Sequence, residues 1–241
     1  MLILENIHGG YRPGSQVLQG IDLEIKAGET VGIIGLNGCG KSTLGKAVLN
    51  ILPFREGRVM LGGIDVSKMH PHQLRQHGIA MVLQGGRVFP NMTVLEQLKL
   101  AGNEQSDLAI IKRLSEVENI TGLTIFVSGK QDSFLKRKGN HLSGGEKQQL
   151  SLIMALLSNP RLLILDEASA GLSPGNLMKM TVVIEKLKAI QSMAIMLIEQ
   201  NIRLAVRLSD RLLLLERGII GQQFEIDETF DLNKLNKNIF N

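Results

Sequence analysis

Gly35-Leu36-Asn37-Gly38-Cys39-Gly40-Lys41-Ser42 follows directly on the apolar run Val31-Gly32-Ile33-Ile34. It opens a segment of helical periodicity, Lys41 to Leu52, which Pro53 closes. The eight residues fit the pattern G-x-x-x-x-G-K-[ST], and strand, glycine turn, helix is the setting in which that pattern holds a phosphate. Phosphate oxygens need several donors at close range. Glycines let successive backbone N–H groups turn inward, while the following helix points its positive end at the anion. In such a loop Lys41 reaches the β and γ phosphates of a nucleotide and the Ser42 hydroxyl binds Mg²⁺. Gly35, Asn37, Gly38, Cys39, Gly40 and Thr43 are the remaining candidate contacts; at Cys39 any small residue would serve.

The flanks extend the pattern into a fold. Val31 to Ile34 is apolar on both faces, as a buried parallel strand should be. Upstream, Ile21-Asp22-Leu23-Glu24-Ile25 alternates apolar and polar before the turn Lys26-Ala27-Gly28-Glu29, which predicts an antiparallel opening. Downstream, Ile79 to Leu83, Leu162 to Leu165, Ala194 to Ile198 and Leu212 to Leu215 are short apolar runs separated by helical segments. That alternation predicts a mostly parallel sheet covered on both sides. Between Thr93 and Leu157 the periodicity is helical: Thr93 caps a helix from Val94 to Ala101, and Ser106 caps another through Glu118. The expected fold is α/β: a P-loop NTPase (RecA-like) core, an N-terminal antiparallel β region and an inserted α-helical subdomain. We expect a single domain over 1–241. Its nucleotide-binding core is 1–86 and 159–225, its helical subdomain 87–158, and its short tail 226–241.

Composition narrows the function classes. A chain of 241 residues has room for one domain or a core with a sub-lobe. It is 44% hydrophobic, but Leu150 to Leu157 is broken by Ser151 and Leu162 to Leu165 stops at Asp166. A spanning helix needs about 18 to 20 apolar residues. Met1-Leu2-Ile3-Leu4-Glu5 has no basic stretch ahead of its apolar residues, so no secretory signal is expected. The single cysteine, Cys39, cannot form an internal disulfide and suits a reduced, cytoplasmic setting. A net charge of +4 is compatible with nucleic acid, acidic lipid or phosphorylated ligands. The densest basic run, Lys136-Arg137-Lys138, is too short for a nucleic-acid arm, and 3% aromatics without tryptophan offer few stacking platforms. No nucleic-acid partner is expected. His70, His72 and His77 lie around a helix start with no cysteine or tight carboxylate partner, which argues against a metal site.

A phosphate loop needs a carboxylate to hold its metal. Leu162-Leu163-Ile164-Leu165-Asp166-Glu167 delivers two adjacent acids from a buried strand to the sheet edge where α/β proteins bind ligands. Asp166 is the candidate metal holder, and Glu167 the candidate that polarises the attacking water. A third motif, His141-Leu142-Ser143-Gly144-Gly145-Glu146-Lys147-Gln148, places Ser143 and the Gly144 and Gly145 amides at the start of a helix running to about Leu157, a second anion site. A plain Ser-capped helix would explain Ser143 but not two glycines in its first turn, where they cost stability.

With LSGGE at 142–146, these motifs in this order resemble the ABC (ATP-binding cassette) ATPases over about Met1 to Gly221. The resemblance implies ATP and Mg²⁺ as ligands. It also implies a head-to-tail sandwich in which the signature of one subunit closes over the ATP held by a second ABC subunit, identical or different. Tyr11 looks like the aromatic that stacks on adenine, with a lone surface tyrosine as the alternative. Gln84 looks like the glutamine that contacts Mg²⁺ and the attacking water, with a polar strand end as the alternative. Gln84 to Asn91, Met92-Thr93-Val94 and Ile198-Glu199-Gln200-Asn201 look most like ATPases of importers for branched-chain amino acids and related amides or urea. That implies separate transmembrane permease partners and a place on the cytoplasmic face of the membrane. The chain departs from the family pattern at three positions: Gln200 replaces a frequent histidine, Ser173 a frequent aspartate and Ala168 a frequent proline. A glutamine still orients water and phosphate in other P-loop enzymes, so Gln200 is a candidate catalytic residue and the changes bear on hydrolysis rate. Two other readings stand beside the importer ATPase: a soluble ABC switch acting on nucleic acid or a protein complex, and a binding-only subunit whose partner hydrolyses.

Overall fold

The computed structural model describes residues 1–12, 14–123, 131–190, 192–227 and 230–232. Strands β1 (Leu2–Arg12) and β2 (Ser15–Ile25) open the chain, and β3 (Thr30–Ile34) leads into helix α1 (Lys41–Val48). Then come β4 (Phe54–Leu61), β5 (Ile64–Asp65), α2 (Pro71–Gln76) and β6 (Ile79–Val82). Four helices follow: α3 (Val94–Gly102), α4 (Asp107–Thr121), α5 (Gln131–Leu135) and α6 (Gly144–Leu156). The chain returns through β7 (Leu162–Asp166), α7 (Pro174–Lys188), β8 (Ala194–Ile198), α8 (Ile202–Leu208), β9 (Arg211–Glu216) and β10 (Ile219–Glu225).

These strands make two sheets. One is antiparallel, in the order β2-β1-β4-β5. In β2, Ile21, Leu23 and Ile25 face inward while Asp22 and Glu24 face water, the alternation expected of a half-wet strand. The second sheet has the order β10-β9-β3-β8-β7-β6 and is parallel except for the hairpin of β9 with β10. Its central strands are apolar on both faces because each feeds two cores. From β7, Leu162 and Ile164 pack with α1 and the antiparallel sheet, whereas Leu163 and Leu165 pack with α3, α4, α6 and α7. Ala194, Met196 and Ile198 of β8 join the first core, and Ile195 and Leu197 the second. The antiparallel opening and the mostly parallel sheet both appear as expected.

Element ends differ in detail. Helix α1 stops at Val48, short of Leu52, because Asn50 turns into the left-handed region (φ 56) ahead of Pro53. Helix α4 runs past Glu118 to Thr121, where Gly122 caps it at φ 68. Helices α3 and α4 begin as read: Thr93 and Glu96 form a reciprocal capping box, and Ser106 accepts from the Ala109 amide. The four helices between β6 and β7 share the core that covers one face of the parallel sheet. No helix among the described residues is long and apolar enough to cross a membrane.

Candidate active site

Because β3, β6, β7 and β8 are parallel, their C-terminal ends share one edge, and the loop after each of these four strands carries a residue singled out above. From β3 comes the glycine loop. Gly35 sits at φ 152, and a Cβ there would lie 2.2 Å from the Leu215 carbonyl oxygen, so only glycine fits. Gly40 caps α1 in the left-handed region at φ 113. Asn37 and Gly38 are exposed at the crest of the loop, and Cys39 is buried beneath it, where burial pushes its thiol pKa up. Lys41 is only 5% exposed, and its Nζ donates to the carbonyls of Gly35 (2.9 Å) and Leu36 (3.1 Å). The ammonium is thus held inside the curve of the loop, where an incoming phosphate would meet it.

From β7 come the two acids. Asp166 is 3% exposed and accepts a 2.8 Å hydrogen bond from Ser42 Oγ, which joins the first and second motifs. Burial raises its pKa, and the neighbouring Glu167 adds to the rise against the Ser42 bond. A hydroxyl and a buried carboxylate side by side form an oxygen donor pair of the kind Mg²⁺ takes, and a cation there would relieve the burial of charge. Glu167 is held in the left-handed region at φ 47, with its amide donating to the Ile198 carbonyl at 2.9 Å. A non-glycine residue in that region stores strain of the sort found at functional sites. Gln84, just past β6, donates from Nε2 to Glu167 Oε2 at 2.8 Å.

Tyr11 is the last residue but one of β1 and is 49% exposed; its hydroxyl lies 3.4 Å from Thr43 Oγ1 and accepts from Lys46 Nζ at 3.0 Å. Lys46 also sits 5.2 Å from the ring centroid. The ring is therefore tied to α1 beside the loop with a face available for stacking. Gln200 is exposed between β8 and α8, and the next residue, Asn201, caps α8 by accepting from the Leu204 amide.

The signature residues stand apart from these groups. Ser143 caps α6, accepting from the Glu146 amide at 3.3 Å, while its own amide donates to Glu146 at 2.7 Å. Among the described residues its hydroxyl donates no hydrogen bond, so its proton could be given to a ligand. Arg137 holds Glu146 in place, Nη1 to Oε1 at 2.8 Å. A Cβ at Gly144 would meet nothing within 4 Å, whereas one at Gly145 would press on Asn176 of α7. Among the described residues, no hydrogen bond links Ser143, Gly144 or Gly145 to the loop at 35–43. The signature and the glycine loop of one chain are thus two separate hydrogen-bonded units among the described residues.

Several supporting residues escape a reading by motif. Gln148 is buried and donates from Nε2 to the Ala168 carbonyl at 2.7 Å, linking the signature helix to the loop after Glu167. Gln97 is fully buried and braces the segment after Gln84, accepting from the Phe89 amide and donating to the carbonyls of Phe89 and Met92. Glu199 is buried against Ser169. A polar residue on an apolar helix or strand face was their only signal.

Fold and edge together define a phosphate-loop, nucleotide-binding α/β protein. Comparison with known proteins refines that class. The ABC transporter family profile matches residues 18–170. The probable branched-chain amino acid transport ATP-binding protein LivF of Archaeoglobus fulgidus is 32% identical over 98% of this chain and 97% of its own length. BraG of Pseudomonas aeruginosa, a high-affinity branched-chain amino acid transport ATP-binding protein, is 34% identical over 85% of this chain and 84% of its own. A dimeric ATP-binding cassette solved in a post-hydrolysis state with ADP and Pi superposes with a TM-score of 0.79 at 26% identity, covering 94% of this chain and 99% of that one. The chain belongs to the ABC transporter family: it is an ATP-binding subunit and an ATPase of that family. Relatives named for methionine import and α-hemolysin translocation also match it.

Proposed function

We propose that this subunit binds ATP with Mg²⁺ between its glycine loop and the signature of a second cassette, hydrolyses it, and thereby drives uptake of branched-chain amino acids or related polar solutes. The observation that carries this reading is the pair of contacts Ser42 to Asp166 and Gln84 to Glu167, which gather metal-holding and water-orienting groups beside the phosphate loop. In this reading Tyr11 stacks on the base. Gly35, Asn37, Gly38, Cys39, Gly40, Lys41, Ser42 and Thr43 enclose the phosphates. Ser42, Gln84 and Asp166 hold Mg²⁺, which when bound neutralises phosphate charge. Glu167 accepts a proton from the attacking water, and Gln84 and Gln200 orient that water and the γ-phosphate. Ser143, Gly144 and Gly145 serve the partner's nucleotide.

The power stroke needs an outlet. A groove of about 410 Å³ runs between α2 and β6 on one side and α3 and α6 on the other, lined by Ile51, Leu83, Arg87, Phe89, Leu100 and Met154 among others. It begins beside Gln84, so closure around ATP would be felt there. Transmembrane permease subunits dock in it, which places this chain peripherally on the cytoplasmic face of the membrane. The cargo rests on the names of LivF and BraG.

Size measurement of purified Glu167→Gln with and without Mg-ATP tests the core of this reading. ATP is expected to convert monomer to dimer, because closure needs ATP and opening needs hydrolysis. If the variant binds ATP and stays monomeric, self-pairing is wrong and a different cassette is the partner.

A further inference from the structure

Glu199 is a buried carboxylate for which the proposed reaction has no direct use. It is 2% exposed and follows β8, every residue of which is buried and apolar. An apolar side chain there would extend the strand at lower cost, since burying a carboxylate is unfavourable unless its oxygens are paired. Its partners identify what the cost is spent on. Oε2 accepts from Ser169 Oγ at 2.7 Å and Oε1 from the Ser169 amide at 3.2 Å. Its own amide donates to the Ile33 carbonyl at 3.1 Å, on the strand that leads into the glycine loop. Ser169 lies in the short turn after Glu167, where Ala170 N bonds the Glu167 carbonyl at 3.0 Å. The next residue after Glu199 is Gln200.

We propose that Glu199 is a positioning residue for hydrolysis: through Ser169 it locks the loop that carries Glu167 to the strand end that carries Gln200. This rests on the functional reading above. Two loops that must act on one water are otherwise joined by the backbone bond from Glu167 N to Ile198 O. The Gln148 bond to Ala168 holds the same loop from the signature helix, so Glu199 completes a two-sided clamp on residues 168 and 169. A clamp of this kind sets geometry for chemistry without touching nucleotide, so it should act on turnover and not on ATP affinity.

The test is single-turnover ATP hydrolysis by the full chain at high concentration, with fluorescent-nucleotide binding measured in parallel, for Glu199→Gln, Ser169→Ala, the double variant and Ser169→Thr. Each of the first two is expected to lower the hydrolysis rate about ten-fold or more with ATP affinity within about two-fold of wild type. The double variant should be no slower than the worse single, because both break one link. Ser169→Thr keeps the hydroxyl and should retain at least about half the rate. Rates within about two-fold of wild type for both singles, multiplicative losses in the double, or a parallel loss of ATP binding would each overturn the clamp. If Glu199→Gln is too unstable to purify, Ser169→Ala with Ser169→Thr decides alone. A wild-type chain whose hydrolysis is insensitive to Glu167→Gln would instead overturn the functional reading, and the clamp with it.

Discussion

Lys41 shows how a single side chain prepares the loop for an anion. It is buried with its charge against two carbonyls, so an entering phosphate replaces neutral acceptors by a charged one at no cost in desolvating the ammonium. Lys41→Ala is expected to weaken ATP binding by about 100-fold, measured by calorimetry. Glu199 makes a second prediction, on stability. Burial raises its pKa above the ordinary 4.5, against the bonds from Ser169. The folded state therefore binds the proton more tightly than the unfolded chain, so this group favours folding most below its unfolded pKa. That contribution is lost as pH rises through the raised value. Glutamine has no such term. The stability of Glu199→Gln relative to wild type should thus increase from pH 4.5 upward in urea unfolding.

At the scale of elements, the join between β6 and the signature helix rests on a close approach. Gly86 lies at φ 60, and a Cβ there would come within 2.4 Å of the Gln148 amide nitrogen and 2.5 Å of the Lys147 carbonyl carbon. Gly85 beside it has φ 77 but open space around it. Gly85→Ala is expected to cost about 1 kcal/mol for the left-handed backbone alone. Gly86→Ala must in addition push α6 away and should cost about 3 kcal/mol or more, with a matching loss of coupling between Gln84 and the signature. Thermal unfolding of the pair separates strain from contact. Helix α6 gives a milder test: Ser143→Ala removes its side-chain cap and should cost about 1 kcal/mol in the isolated chain. Such elements were largely legible in the sequence. β7 and β8 announced themselves because they are apolar on both faces, and α3 because Thr93 reads as a cap ahead of a helical period. What escaped was tertiary in origin: a polar residue on an apolar face marks Gln148, Gln97 and Glu199, but that local pattern does not name their partners, which for Gln148 and Glu199 lie 20 and 30 positions away.

Over the whole molecule, no hydrogen bond among the described residues joins the glycine loop to the signature of the same chain, and the proposed function has each completed by a second copy or a relative. Mixing Lys41→Ala, whose signature is intact, with Ser143→Arg, whose loop is intact, is expected to restore ATPase activity to about a quarter of wild type. In a mixture of equal parts about half the dimers pair one of each, and each such dimer has one working site of two. Each variant alone should be inactive. Absence of recovery would rule out the head-to-tail pairing of identical chains.

The sequence by itself determined which residues are candidates to bind a phosphate and which strands must be buried. Glycine spacing, lysine and serine at a helix start, and runs of apolar residues act through local backbone geometry and hydrophobicity. Only the tertiary structure decided which of these groups meet. Ser42 reaches Asp166 because β3 and β7 end at the same edge, with β8 between them, although 124 positions separate the two residues in the chain. Glu167 receives Gln84 from β6 by the same parallel alignment. The signature helix is kept away from its own loop because its apolar face is committed to the core on the other side of the sheet. Sheet order and packing are global minima over many contacts, and no stretch of residues specifies them alone.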